Sequence, residues 1–392
     1  MKRWLLIALY LPFFAGCASP SVERPPVEDF LRDQLFMPAV VAPQRDNVFA
    51  IDAQMRRHLA VASAQARVLG DPLESLVWSL LDDGRVRIDY DAQVTRNAAE
   101  TFDARAGNCL SLVIMTVAMA KELGLRVKVQ QFESPGVWDR QGNLLLNVGH
   151  VNVMIGRQQI DSRTYDRRAP WITVDFLPVS EAERARTVEV DEARVLAMYF
   201  NNRAAETLTA TGADAAYWWA RAAVLADPGY ADAFNTLGVV YSRHKPADSA
   251  EAADAAERAL RHALALNRDN AHAMGNLAAL LDGQGRASEA AALRAALRRL
   301  EPTQPFTDYD EGLRAMRSGD FKRARSFLER ELRKSPYFHE LHMNLARVYL
   351  QLGDIDSARK QIEQARDTST TRQQQALYSA KLDVFRKSLG AR

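Results

Sequence analysis

The chain has 392 residues, enough for two or three compact units at roughly 100 to 200 residues each. Its 51 Lys and Arg nearly cancel its 49 Asp and Glu, so a formal charge of +2 gives no general attraction to nucleic acid. Apolar residues at 47% exclude a chain disordered along its length, and a count of two cysteines excludes a disulfide-stapled module.

Residues 1–16 read as an export signal: Lys2 and Arg3 give the positive start, and Trp4 to Phe14 is too short to span a bilayer as a stable helix. Phe14-Ala15-Gly16-Cys17 resembles the lipobox of bacterial lipoproteins. That resemblance implies lipidation at Cys17 and, with Ala18 and Ser19 following, an anchor on the periplasmic face of the outer membrane. Acyl chains worth about 0.8 kcal/mol per buried CH2 would hold the chain at the bilayer without a spanning helix. Cys109 is then the one thiol left in the mature protein.

Residues 17–45, with Pro25, Pro26, Pro38 and Pro43, read as a tether interrupted by a short helix near Val27 to Phe36. Ala53 to Val68 is the first substantial helix, and Asp71-Pro72 opens a second that runs to about Leu81. A short strand is expected over Arg87 to Tyr90 and a helix over Arg96 to Arg105. Gly107 breaks that helix, and Asn108 caps an apolar one from Cys109 to Leu123 that stops at Gly124. Leu125 to Phe132, Val148 to Ile155 and Trp171 to Phe176 are rich in β-branched or aromatic residues and predict strands. Residues 46–190 thus form an α+β domain, helices first and strands after.

The composition then changes, with 31 alanines between Asn201 and Leu300 and no strand signal. Ala204, Gly238, Ala278, Gly312 and Ala346 recur at spacings of 34, 40, 34 and 34 residues. Ala216, Ala290, Ala324 and Ala358 follow twelve residues later in the regular units, and Pro228, Pro302 and Pro336 start the next turns. With Leu237-Gly238 and Tyr241, Gly319-Asp320-Phe321, and Leu345-Ala346, Tyr349 and Gly353-Asp354, the pattern resembles the tetratricopeptide repeat. The resemblance implies an all-α superhelix of five repeats over residues 197–370, a capping helix in 371–392, and a concave surface that binds protein or peptide. The six extra residues of the second unit fall near His244 to Ala252. Trp218 and Trp219 are expected at the junction with the α+β domain.

Cys109 opens an apolar helix, where unpaired N–H groups and the helix dipole favour a thiolate and suit a nucleophile. Of the seven histidines only His58 and His150 precede the repeats. His58, in Met55-Arg56-Arg57-His58, reads as a solvated surface residue. In a strand from His150, Val151, Val153 and Ile155 face one way while His150 and Asn152 face the other, toward polar surroundings. Asp161, Asp166 and Asp175 are the candidates to orient the imidazole. A hairpin at Gly156-Arg157 favours Asp161 and a neighbouring strand favours Asp175, and side-chain parity leaves both open. Trp138, in Glu133-Ser134-Pro135-Gly136-Val137-Trp138-Asp139, is expected on a loop, either lining a substrate groove or stapling the loop.

Ala106-Gly107-Asn108-Cys109-Leu110-Ser111, then Gly149-His150-Val151 and Val174-Asp175-Phe176, resemble the transglutaminase-like branch of the papain-like cysteine enzymes. The resemblance implies a papain-like α+β fold with Cys109 as nucleophile, His150 as base and acid, and Asp175 orienting His150. It implies acyl transfer through a thioester on protein or peptide amides, with hydrolysis favoured over transamidation. No close-spaced Cys or His pair could chelate zinc, so neither a metal nor another cofactor is expected. A membrane-tethered scaffold whose cysteine domain is catalytically silent is the competing expectation.

Overall fold

The computed structural model describes residues 25–39, 42–69, 73, 76, 89–91, 94–132, 137–141, 144–148, 150–157, 171–176, 187–244, 250–300, 306–336, 338–369 and 372–390. The expected signal at 1–16, Cys17, Asp161 and Asp166 lie outside them, as does most of the expected helix after Asp71. No helix among the described residues is long and apolar enough to cross a membrane.

The N-terminal half begins with helix α1 (Ala53–Leu69), then strand β1 (Asp89–Tyr90), helix α2 (Ala98–Ala104), strand β2 (Ala106–Gly107) and helix α3 (Cys109–Glu122). Asn97 starts α2 with a reciprocal capping box to Glu100, and Arg105 ends it in the left-handed region. Every residue of α3 from Cys109 to Ala120 is buried. A helix apolar on all sides must be enclosed, and α3 packs between the sheet, α2 and helix α4 (Glu192–Ala210).

The sheet comprises β3 (Arg126–Phe132), β6 (Val151–Gly156), β7 (Ile172–Val174) and β8 (Thr187–Val190), in the order β7-β6-β3-β8 with antiparallel neighbours. Val129, Val153 and Val174 lie abreast in the register and carry its buried face. β4 (Val137–Gln141) pairs with β5 (Leu144–Val148) in a separate hairpin. Trp138 therefore sits within a strand rather than on the expected loop, and the expected strand from Val148 to Ile155 is divided just before β6.

Helical hairpins follow: α4 with α5 (Ala213–Ala226), α6 (Ala231–Arg243) with α7 (Ala250–Leu266), and α8 (Ala271–Gly283) with α9 (Ala287–Leu300). They continue with α10 (Thr307–Arg317) and α11 (Phe321–Leu332), then α12 (His339–Gln351) and α13 (Ile355–Asp367), and α14 (Arg372–Gly390) packs on the last pair. The small residue of each period stands where two helices touch. A Cβ on Gly238 would lie 2.6 Å from the Leu260 side chain, and one on Gly312 2.6 Å from that of Leu328.

The tether expectation fails for residues 25–39. They form two short 3-10 turns, Val27–Phe30 and Asp33–Leu35, packed on α5, α6 and α7. Burying Phe30 and Phe36, each 6% exposed, offsets the entropy of ordering a segment whose sequence reads as a linker.

Candidate functional site

The site is built at the start of α3. Asn108 caps the helix: its side-chain oxygen accepts from the Ser111 N–H at 2.9 Å and from the Ser111 hydroxyl at 2.9 Å. Its amide donates to the Thr95 hydroxyl at 2.8 Å. A Cβ on Gly107 would come within 2.7 Å of the Ser111 Cβ, so glycine is needed for the chain to enter the helix this closely. Cys109, the first helical residue, is 1% exposed and forms no disulfide.

His150 stands just ahead of β6 and is 6% exposed. Its Nε2 lies 2.9 Å from one oxygen of Asp175 and 3.0 Å from the other. The next residue pair beyond Val153 and Val174 is Asn152 with Asp175, which makes Asp175 the diagonal neighbour of His150 across the two strands. Phe132 packs on the imidazole with ring centroids 4.5 Å apart, and its N–H donates to the His150 carbonyl at 3.0 Å.

Burial opposes a charge on His150, but hydrogen bonding and charge from Asp175 and Cys109 outweigh it and raise its pKa to about 9. The ring's other nitrogen, Nδ1, is buried, and the Cys109 thiol acts on the ring through hydrogen bonding and charge. Cys109, His150 and Asp175, separated by 41 and 25 residues, thus meet at one point.

His150 meets the polar surroundings expected of it, in Asp175, although it is buried; Asn152 is buried as well, and its side-chain oxygen meets no partner. His58 departs from its expected solvated role. It is half-buried against Phe102 at 5.4 Å, and burial lowers its pKa. Among the described residues, no group of three His, Cys, Asp or Glu could hold a metal ion.

Sequence reasoning missed the clamp behind the cap. Thr95 is fully buried; its N–H donates to Glu206 at 2.8 Å and its carbonyl accepts from Arg203 at 3.2 Å. Arg203 and Glu206 both lie on α4, the first helix of the repeats, so that helix grips the loop that holds Asn108. The Arg203 guanidinium also sits over the Trp219 ring, 5.3 Å from its centroid. Trp219 therefore lies at the expected junction, whereas the Trp218 indole donates to the Met37 carbonyl.

Residues 315–380 match the family model described as Tetratricopeptide repeat, and the chain carries such repeats, a fold that generally binds proteins or peptides. No match was found among curated proteins. Similar solved structures include a MamA protein, 18% identical, covering 44% of this chain and 91% of that one with a TM-score of 0.24. Pseudomonas aeruginosa pilF is 20% identical, covering 50% of this chain and 87% of that one with a TM-score of 0.26. YrrB, described as a TPR protein with an unusual peptide-binding site, is 18% identical, covering 47% of this chain and 92% of that one with a TM-score of 0.24.

Proposed function

We propose that the α+β unit is a transglutaminase-like cysteine acyltransferase acting on protein or peptide amides, and that the repeats bind its protein partners. The observation that carries this reading is the shared imidazole: Asp175 holds one side of His150 while the Cys109 thiol acts on the same ring. In the proposed cycle the Cys109 sulfur attacks the amide carbonyl carbon, and N–H groups at the start of α3 receive the developing oxyanion. The C–N bond breaks as His150 gives its proton to the leaving amine, which leaves a thioester on Cys109. Water then attacks the thioester carbonyl as His150 takes one of its protons, the C–S bond breaks to return the Cys109 thiolate beside the protonated ring, and the acid product leaves as a carboxylate, its proton going to solvent. A lysine amine in place of water would give transamidation, and hydrolysis is the reading we favour.

The test is to capture acyl adducts on Cys109 from envelope extract by mass spectrometry, beside the Cys109→Ala protein. A thioester adduct on Cys109 is expected, and its absence under single-turnover conditions overturns the enzymatic reading. One observation favours the silent scaffold: Cys109 is only 1% exposed. Iodoacetamide separates the two, since a silent thiol resists alkylation near neutral pH and an active one does not.

We further propose that Cys17 carries lipid and anchors the chain to the periplasmic face of the outer membrane. Fatty-acid labelling that persists in Cys17→Ser would reject this.

A further inference from the structure

Residues 27–37 lie across the first two repeats in the manner of a bound peptide. Phe36 stacks on Tyr217 with centroids 4.0 Å apart and planes 6° apart, and the rings of Tyr241 and His244 close round it. Phe30 meets Phe234 at 5.2 Å and His262 at 4.5 Å. These two anchors are six residues apart, a spacing that would put them on different faces of a helix.

The repeats also hold the main chain at Phe30, Arg32 and Met37. The Arg32 N–H donates to the Tyr217 hydroxyl at 3.0 Å, and the Phe30 carbonyl accepts from the Tyr241 hydroxyl at 2.8 Å. The Met37 carbonyl accepts from the Trp218 indole at 2.8 Å, and the Met37 N–H donates to Asp214 at 3.1 Å. The one acid enclosed by the anchors, Asp33, accepts from the Tyr217 hydroxyl at 2.6 Å and from Arg221 at 3.0 Å. Main-chain capture is indifferent to sequence, so selectivity rests on the two ring pockets and the carboxylate. Beyond two short turns the segment makes no ladder and no helix packing of its own.

We propose that the cleft between α5 and α7, floored by α6, is a binding site for partner peptides carrying two phenylalanines six residues apart with an aspartate between. In this structure the chain's own segment occupies it. A ligand tethered a few residues away acts at an effective concentration on the order of millimolar, so even a weak cis contact keeps the cleft filled against dilute competitors. A partner peptide gains entry when the cis segment is weakened or when its own anchors fit better.

The test uses the full chain and a fluorescein-labelled peptide of residues 26–38, read by anisotropy. Phe30→Ala with Phe36→Ala in the chain should lower the apparent Kd at least tenfold relative to the native protein, and a peptide with the same two alanines should not bind. Equal binding by the native chain and a variant of native helix content overturns the proposal. Should the double variant lose helix content, Asp33→Ala serves instead, because it releases Arg221 and the Tyr217 hydroxyl without opening a cavity. An improvement of about threefold supports the site, and no change overturns it. A concentration-dependent dimer of the native chain that the double variant loses would reassign the cleft to a second copy and overturn the partner-peptide assignment.

Discussion

The near and far ends of the repeat array are built on different plans. Buried apolar residues from Phe30 through α3 and β6 to Ala273 form one continuous cluster, which merges the α+β unit with the first two repeats. Beyond it come separate small cores around Leu277, around Phe306 and Phe338, and around Met343 and Tyr378. The far repeats touch only their neighbours and behave as a chain of nearest-neighbour interfaces. The near repeats share a buried cluster with the candidate site, so a change there should reach Cys109, while a change at the far end should not.

The largest expected effect lies within the near end. His150→Ala should slow iodoacetamide alkylation of Cys109 at pH 6.5 by about a hundredfold, since the imidazolium that favours the thiolate is gone. The gap should close above pH 9, where native His150, with its pKa of about 9, loses its own proton. Equal rates at pH 6.5 would mean the ring does not assist the thiol.

At the far end Gly312→Val is the next most damaging change. Its branched side chain must displace Leu328, which a bare Cβ would already meet at 2.6 Å, at a cost of about 3 kcal/mol. Urea unfolding should show an early loss of far-end helix while Cys109 alkylation stays at the native rate. A parallel loss of both would show that the array unfolds as one body.

What could be read from the sequence follows the same division. The far end was legible because the small residues at Gly312 and Ala346 repeat where helices touch, and a period is a local signal. At the near end the helix cap at Asn108 was legible for the same reason. Side-chain parity left Asp161 and Asp175 open, since only the pairing of β6 with β7 brings Asp175 diagonal to His150. The docked segment read as a tether because its prolines and charges are those of a linker, and two phenylalanines are too few to establish a period. Thr95 and Glu206 meet across 111 residues through a main-chain N–H, which no side-chain pattern announces.

A pH comparison sharpens the contrast further. The folded-state pKa of His150 is raised from 6.5 to about 9, so its contribution to stability is fully present below pH 6.5 and is lost as pH rises through 9. The near-end transition in urea should weaken by about 2–3 kcal/mol between pH 6 and pH 10, and this slope should flatten in His150→Gln. The far-end transition should lack that component. An unchanged slope in His150→Gln would assign the pH dependence to other groups.

The smallest effect tests the clamp itself. Thr95→Val keeps the shape of the side chain but removes the hydroxyl that accepts from Asn108, while the main-chain bonds to Glu206 and Arg203 remain. Asn108 then holds a buried amide without its partner, at about 1–2 kcal/mol. Its side-chain oxygen still caps Ser111, so the helix survives with a looser first turn. The near-end urea midpoint should fall by that amount and the far-end midpoint should stay where it is. Glu206→Gln is the milder companion: its amide oxygen still accepts from the Thr95 N–H, but the negative charge opposite Arg203 is gone. If α4 holds the start of α3 through shape alone, Glu206→Gln leaves Cys109 alkylation at the native rate; if the charged pair with Arg203 fixes Thr95, alkylation slows although the fold is intact.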